Sequence, residues 1–279
     1  MTTEVDPLLV RIDAYLDTVP RSVTTAEQVG PFTLFVNRGN GWRYYARPRP
    51  GQTRFTIDDV EAVLDRQRAL SQPLAIEWVD DLTPEVTEAT RAADMSVSHM
   101  PLMHLRPEDL RTATVENGID VHMVTAEDDV ATATAVATVG FGSPGTEVGP
   151  AGSEAVAGAI SAIAASTLEF TRERLREGFT VMAVATLDGV PVASGSHQPT
   201  SGATEITGVA VLPAYRRRGL GAAVTAALVH DATEQGVGTV FLSAGSEEVA
   251  RVYERVGFHR VGRAGAAEPA QSVGQPSMR

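Results

Sequence analysis

Apolar residues recur along this chain with two periods, and the period changes every ten to twenty residues. Near the N-terminus Leu8, Leu9, Ile12 and Leu16 fall at helical spacing. Phe32–Val36 reads as a strand, Gly39-Asn40-Gly41 as a turn and Trp42–Ala46 as a second strand. Ile57–Leu70 reads as an amphipathic helix, with Asp58 and Asp59 in its first turn and Val60, Val63 and Leu64 as its stripe. Leu74–Val79 predicts a strand. Pro84–Ala93 predicts a helix capped by Thr83, and Val97–Leu105 a further strand.

Arg106–Asn117 is polar and reads as a linker closed by Gly118. Beyond it the pattern predicts a strand over Ile119–Thr125 and alanine-rich helices over Glu127–Val139 and Glu154–Arg176. The Gly- and Pro-rich segment Gly140–Gly152 separates those helices. Phe179–Thr186 and Val190–Ser196 form a hairpin turned by Asp188-Gly189. Glu205–Leu212 is a third strand, Leu220–Gln235 a helix stopped by Gly236, and Thr239–Ser243 a buried-type strand. Ser246–Val256 is a helix closed by Gly257, and Phe258–Val261 begins another strand. From Arg263 onward periodicity is lost, and disorder is expected. The expected organisation is an α+β chain with a mixed sheet: a lobe over 1–110, a second domain over 111–263 and a tail over 264–279.

Composition narrows the function classes. The 279 residues suit two domains, and 43% are hydrophobic, as in a globular protein. No apolar run reaches the roughly 18 residues of a membrane span, and the N-terminal residues are acidic where a signal peptide is basic, so a cytoplasmic location is expected. Cysteine is absent, which removes disulfides, thiolate metal sites and a cysteine nucleophile. The net charge of −12 argues against nucleic acid as a partner and suits a cationic amine. All 23 basic residues are arginine. No histidine pair has metal-ligand spacing, and no metal is expected.

The most informative block runs from Glu205 to Val224, EITGVAVLPAYRRRGLGAAV. A β-branched strand meets Pro213, crosses a short loop and enters a helix through Arg216-Arg217-Arg218-Gly219-Leu220-Gly221. Glycines at a helix start let a ligand approach the backbone. The unbonded N–H groups and the helix dipole there favour an anion, and arginines add charge. The pattern is neither G-x-x-x-x-G-K-[ST] nor G-x-G-x-x-G, so nucleotide-triphosphate and dinucleotide readings lose their motif.

This block resembles the GNAT family of acyl-CoA-dependent N-acyltransferases. The family's R/Q-x-x-G-x-G/A pattern is present as Arg216, Gly219 and Gly221, after Val209-Ala210-Val211 and Pro213. Its later helix pattern is present as Val249, Tyr253, Gly257 and Phe258, with Val249 in place of a small residue. The resemblance is firmest over Glu205–Phe258, and the layout is similar to two-lobed actinobacterial GNAT proteins. It implies a GNAT-like fold for the second domain and a degenerate GNAT-like first lobe. That lobe would wall the acceptor site or form a homodimer contact.

The resemblance further implies acetyl-CoA as co-substrate and a small-molecule amine as acceptor. Pantetheine would lie along Val209, Ala210 and Val211. The diphosphate would rest on Arg216, Arg217, Arg218, Gly219, Leu220, Gly221 and Ala222, with Ser246 as a further contact. Tyr253 would protonate the leaving thiolate, and Glu205 stands where some relatives place a base. Each has a structural alternative: Tyr253 as a core aromatic, Glu205 as a surface residue, Ser246 as a helix cap. His122 and His197 are candidates near the cleft, and Glu127, Asp128 and Asp129 read as a helix start. The segment Gly140–Gly152 lies where the family builds its acceptor pocket, or serves as a connector. A non-catalytic acyl-CoA-binding module, or an acyltransferase acting on a peptide amine or a hydroxyl, are the rival readings.

Overall fold

The structure is a computed structural model that describes residues 6–39, 41–111 and 116–270. The chain forms two compact units, residues 1–102 with 261–279, and residues 103–260.

The first unit opens with helix α1 (Pro7–Thr18), capped by Asp6, whose carboxylate accepts from the Leu8 amide at 2.8 Å. Strands β1 (Thr24–Val29) and β2 (Phe32–Asn37) pair antiparallel, and the short β3 (Arg47–Pro48) joins β2. β1 escaped the sequence pattern because TTAEQV is largely polar; its ladder with β2 makes it a strand. The strand expected over Trp42–Ala46 is not formed. Trp42 is exposed, and pairing begins only at Ala46. The turn expected at 39–41 includes Asn40, which lies outside the described residues.

Helix α2 (Ile57–Ala69) buries Val60, Val63 and Leu64 and starts in a complete capping box between Thr56 and Asp59. Strand β4 (Ile76–Val79), helix α3 (Glu85–Ala92) and strand β5 (Met95–Leu105) follow. Thr83 does not cap α3, whose first turn has no side-chain cap.

The unit is completed by the C-terminus of the chain. Strand β11 (His259–Pro269) lies between β4 and β5 in the strand order and pairs antiparallel with β4, Ala264–Ala267 against Val79–Ile76. The disorder expected over the tail is thus corrected for 264–269, while 271–279 lie outside the described residues. Small residues such as Gly265 and Ala266 have no strand propensity of their own. The ladder with β4 holds them, and a Cβ at Gly265 would collide with the Trp78 indole, so only glycine passes there.

The second unit begins with β6 (Ile119–Val124), after a linker whose residues 112–115 lie outside the described residues. Helix α4 (Val130–Phe141) starts three residues later than expected because Asp129 caps it, accepting from Thr132. The single helix expected over Glu154–Arg176 is two, α5 (Glu154–Ala162) and α6 (Ala165–Arg176). They are broken where Ile163 and Ala164 turn extended.

Strands β7 (Val181–Leu187), β8 (Val190–His197) and β9 (Ala203–Val211), helix α7 (Leu220–Glu234), strand β10 (Thr239–Ser243) and helix α8 (Glu247–Val256) complete the unit. The β7–β8 turn has Asp188 and Gly189 both at positive φ, as a two-residue hairpin requires. The strand order is β10-β9-β8-β7-β6, antiparallel except for the parallel pair β9–β10. Its core packs Val224, Leu228 and Val229 of α7 against Ala193, Ile206 and Val240 of the sheet.

Candidate active site: a forked strand pair and an uncapped helix

The site begins with a mismatch in pairing. β9 and β10 are in register for three pairs only, ending at Glu205 opposite Phe241. β9 runs on to Val211, so its edge from Ile206 faces a fork. On its other edge β9 pairs with β8, with a shift in register between Ser194 and Ser196. Gly195 alone opposes Gly208 and Val209 there, a β-bulge made possible by Gly208 at φ +63°. An isolated glycine in a β-branched strand is a signal of a bulge, and that reading was open from the sequence.

Past the bulge the polarity of the edge is fixed. The Leu212 amide donates to Val192 of β8 at 2.9 Å. N–H and C=O alternate sides along a strand, so those of Val209 and Val211 point away from β8, into the fork. Their side chains turn toward α7: a Cβ on Gly221 would lie 3.6 Å from Val211 and 4.0 Å from Val209. Ala210 faces the opposite side, toward Gly140 of α4.

The strand leads into a 3-10 turn (Pro213–Tyr215), then Arg217 at φ +69° and Gly219 at φ +82°. The first helical bond of α7 is Ala223 N–H to Gly219 C=O, 3.0 Å. The amides of Leu220, Gly221 and Ala222 precede it and have no acceptor in the helix. No side chain caps α7, and its first turn contains no acid. Gly219, Gly221 and Ala222 are half-buried and Leu220 buries its side chain, so only its backbone is available to a ligand. The turn lies at the surface: Arg217 and Arg218 are exposed. Arg217 pairs with Glu147 at 3.2 Å, and Arg218 pairs with Glu116 at 3.5 Å over the Tyr215 ring.

The side chains of Arg216 and Ser246 are both engaged within the chain. The Arg216 guanidinium turns inward and donates to the carbonyls of Gly140 (2.9 Å), Ser143 (2.5 Å), Glu147 (3.1 Å) and Val211 (3.4 Å). Four of its five N–H groups are committed to backbone oxygens. The Ser246 hydroxyl accepts from the Val249 amide at 3.2 Å and caps α8, the structural alternative.

Tyr253 of α8 sits 5.9 Å from Phe258, edge to face. Burial pushes its phenol up to about 12, so it stays protonated at neutral pH. Glu205 closes the paired part of β9, at the vertex of the fork. Its neighbour Thr204 faces α7, where it meets His197, so alternation sends Glu205 to the α4 side of the sheet.

The two histidines are not brought to the fork. His197 is fully buried, 3.0 Å from Thr204 and 3.0 Å from Asp231 of α7. Desolvation lowers its pKa and outweighs the opposing pull of Asp231. His122 lies on β6, separated from β9 by β7 and β8. It lines a cavity of about 350 Å³ with Asp128, Asp129 and Thr132. Both aspartates already bond Thr125 or Thr132. Among the described residues no group of three or more His, Asp or Glu could hold a metal ion, and no helix is long and apolar enough to cross a membrane.

Residues 159–258 match the model of the Acetyltransferase (GNAT) family. A GCN5-related N-acetyltransferase from Kribbella flavida superposes with a TM-score of 0.72 at 21% identity, covering 96% of this chain and 98% of that one. A tandem GNAT protein from the clavulanic acid biosynthesis pathway gives 0.53 at 16% identity, over 96% and 97% of the two chains. A GCN5-related N-acetyltransferase-like protein from Streptococcus suis gives 0.51 at 14%, over 93% and 98%. At these identities the likeness is one of fold, and no curated protein matches significantly. The chain thus has a two-lobed GNAT fold, and residues 159–258 of its second unit are similar to the GNAT acetyltransferase family, whose chemistry is acyl transfer.

Proposed function

We propose that this protein transfers an acetyl group from acetyl-CoA to the amine of a small molecule by direct attack. The observation that carries the reading is the fork beside β9, with the polar backbone of Val209 and Val211 aimed into it and the uncapped start of α7 at its end. Pantetheine has two amides that such an edge satisfies. The amides of Leu220 to Ala222, with Arg217 and Arg218, suit its diphosphate.

In this reading the thioester carbonyl is polarised by a backbone N–H of the fork near Val211. The amine attacks that carbon; a C–N bond forms and the C–S bond breaks. Glu205, directly or through water, takes the proton the amine sheds. Tyr253, protonated at neutral pH, gives its proton to the leaving thiolate. The acidic charge of −12 favours a cationic acceptor.

The test is thiol release from acetyl-CoA across spermidine, tyramine, an aminoglycoside and amino-acid amides. Turnover with any of them supports the reading. CoA that raises the melting temperature without turnover of any acceptor would indicate a binding module instead. No stabilisation by CoA would remove the reading altogether.

A further inference from the structure

Resting on that reading, we propose that Arg216 is a positioning residue. It holds the segment Gly140–Gly152 as a strap across the open end of the fork and so shapes the acceptor side of the site, leaving phosphate contact to its neighbours.

A guanidinium offers five N–H donors in a planar fork and accepts nothing. Here Nε and both terminal nitrogens of Arg216 donate to four backbone carbonyls, three on the strap (Gly140, Ser143, Glu147) and one on the end of β9 (Val211). Beyond the end of α4 the strap has no helix or ladder of its own, so its carbonyls there need outside donors. Two backbone bonds stitch its far end to the turn after β9: Gly149 N–H to Pro213 at 3.1 Å, and Ala214 N–H to Ala151 at 2.9 Å. The middle of the strap reaches the other rim, where Thr146 bonds Glu248 in the first turn of α8. α8 follows β10 directly, so the strap runs from the β9 side of the fork to the β10 side.

Glu147 divides the work between two adjacent arginines. Its carbonyl accepts from Arg216, and its carboxylate pairs with exposed Arg217. A diphosphate can displace a carboxylate from an exposed arginine. Four of the five N–H groups of Arg216 are already held by carbonyls, so it can turn to a diphosphate only by releasing them.

Two thioesters separate the roles: acetyl-CoA, and acetyl-pantetheine, which lacks every phosphate. The acceptor is the panel amine turned over fastest. Arg217→Ala should raise KM for acetyl-CoA about fivefold, a larger factor than it raises KM for acetyl-pantetheine. Arg216→Ala should lower kcat and raise the acceptor KM by the same factor with both thioesters. Arg216→Lys should not rescue it, because an ammonium cannot span four carbonyls. Gly149→Val loosens the strap independently of Arg216, since a Cβ there would lie 3.0 Å from Pro213. It should reproduce the acceptor effect, and it serves as the test if Arg216→Ala does not fold.

Amide exchange over Ser143–Gly149 should speed up in Arg216→Lys, a readout that needs no turnover and survives failure of the acetyltransferase reading. The proposal is overturned if Arg216→Ala changes only KM for acetyl-CoA. It is equally overturned if the strap's exchange in Arg216→Lys matches wild type.

Discussion

Gly140, in the last turn of α4, lies against Ala210 of β9 so closely that a Cβ on it would stand 2.8 Å from the Ala210 Cβ and 3.2 Å from the Val211 carbonyl. Contact this tight is available only to glycine. Gly140→Val should displace α4 from the strand and cost about 1–3 kcal/mol, as overpacking does. A melting temperature several degrees lower and a raised KM for acetyl-CoA are expected. Wild-type values for both would show that the approach is not needed.

The phenol of Tyr253, pushed up to about 12 by burial, stays protonated across the working range. Its folded pKa lies above its ordinary value of 10.0, so it brings no loss of stability below pH 10 and a loss as pH rises from there toward 12. If it is the general acid, kcat should show no descending limb between pH 8 and 10. Tyr253→Phe should lower kcat by about 100-fold with KM for acetyl-CoA unchanged. Unchanged turnover would remove the residue from the reaction.

His197 gives the opposite sign. Burial depresses its pKa below 6.5, so the folded state resists a proton that the unfolded chain accepts. Its contribution is present above pH 6.5 and is lost as pH falls toward the depressed value. Wild type should therefore lose more of its denaturation midpoint between pH 7.5 and 5.5 than His197→Gln does. Equal losses in both would place the acid sensitivity elsewhere.

Only one of two comparable helix starts suits an anion. In α2, Asp59 bonds the Thr56 amide and hydroxyl and Asp58 adds a second charge, while α7 has neither cap nor acid. Calorimetry should give one CoA per chain, and two equivalents would contradict the contrast.

Gly265→Val should disrupt the first unit through the Trp78 ring it touches. Trp78 is 1% exposed, against 66% for Trp42, so a red shift of the emission reports mainly on its release. An unshifted spectrum would mean that β11 tolerates a side chain there.

The local elements of the second unit were legible in its sequence because their signals are local. The β-branched run before Pro213, the glycines opening α7 and the helical spacing of Val249 and Tyr253 each depend on a few neighbouring residues. The turn at Asp188-Gly189 and the stop at Gly257 were legible for the same reason. What the tertiary structure decided lies where distant segments meet. β1 is too polar to announce itself, and the adjacent β2 makes it a strand; β11 is too rich in small residues, and it is a strand because a ladder from elsewhere in the chain completes it. Arg216 carries the right letter for a phosphate contact, yet its direction was set by carbonyls about seventy residues earlier. A sequence states which donors and acceptors a chain owns. Which of them satisfy one another is decided only when burial forces every backbone group to find a partner.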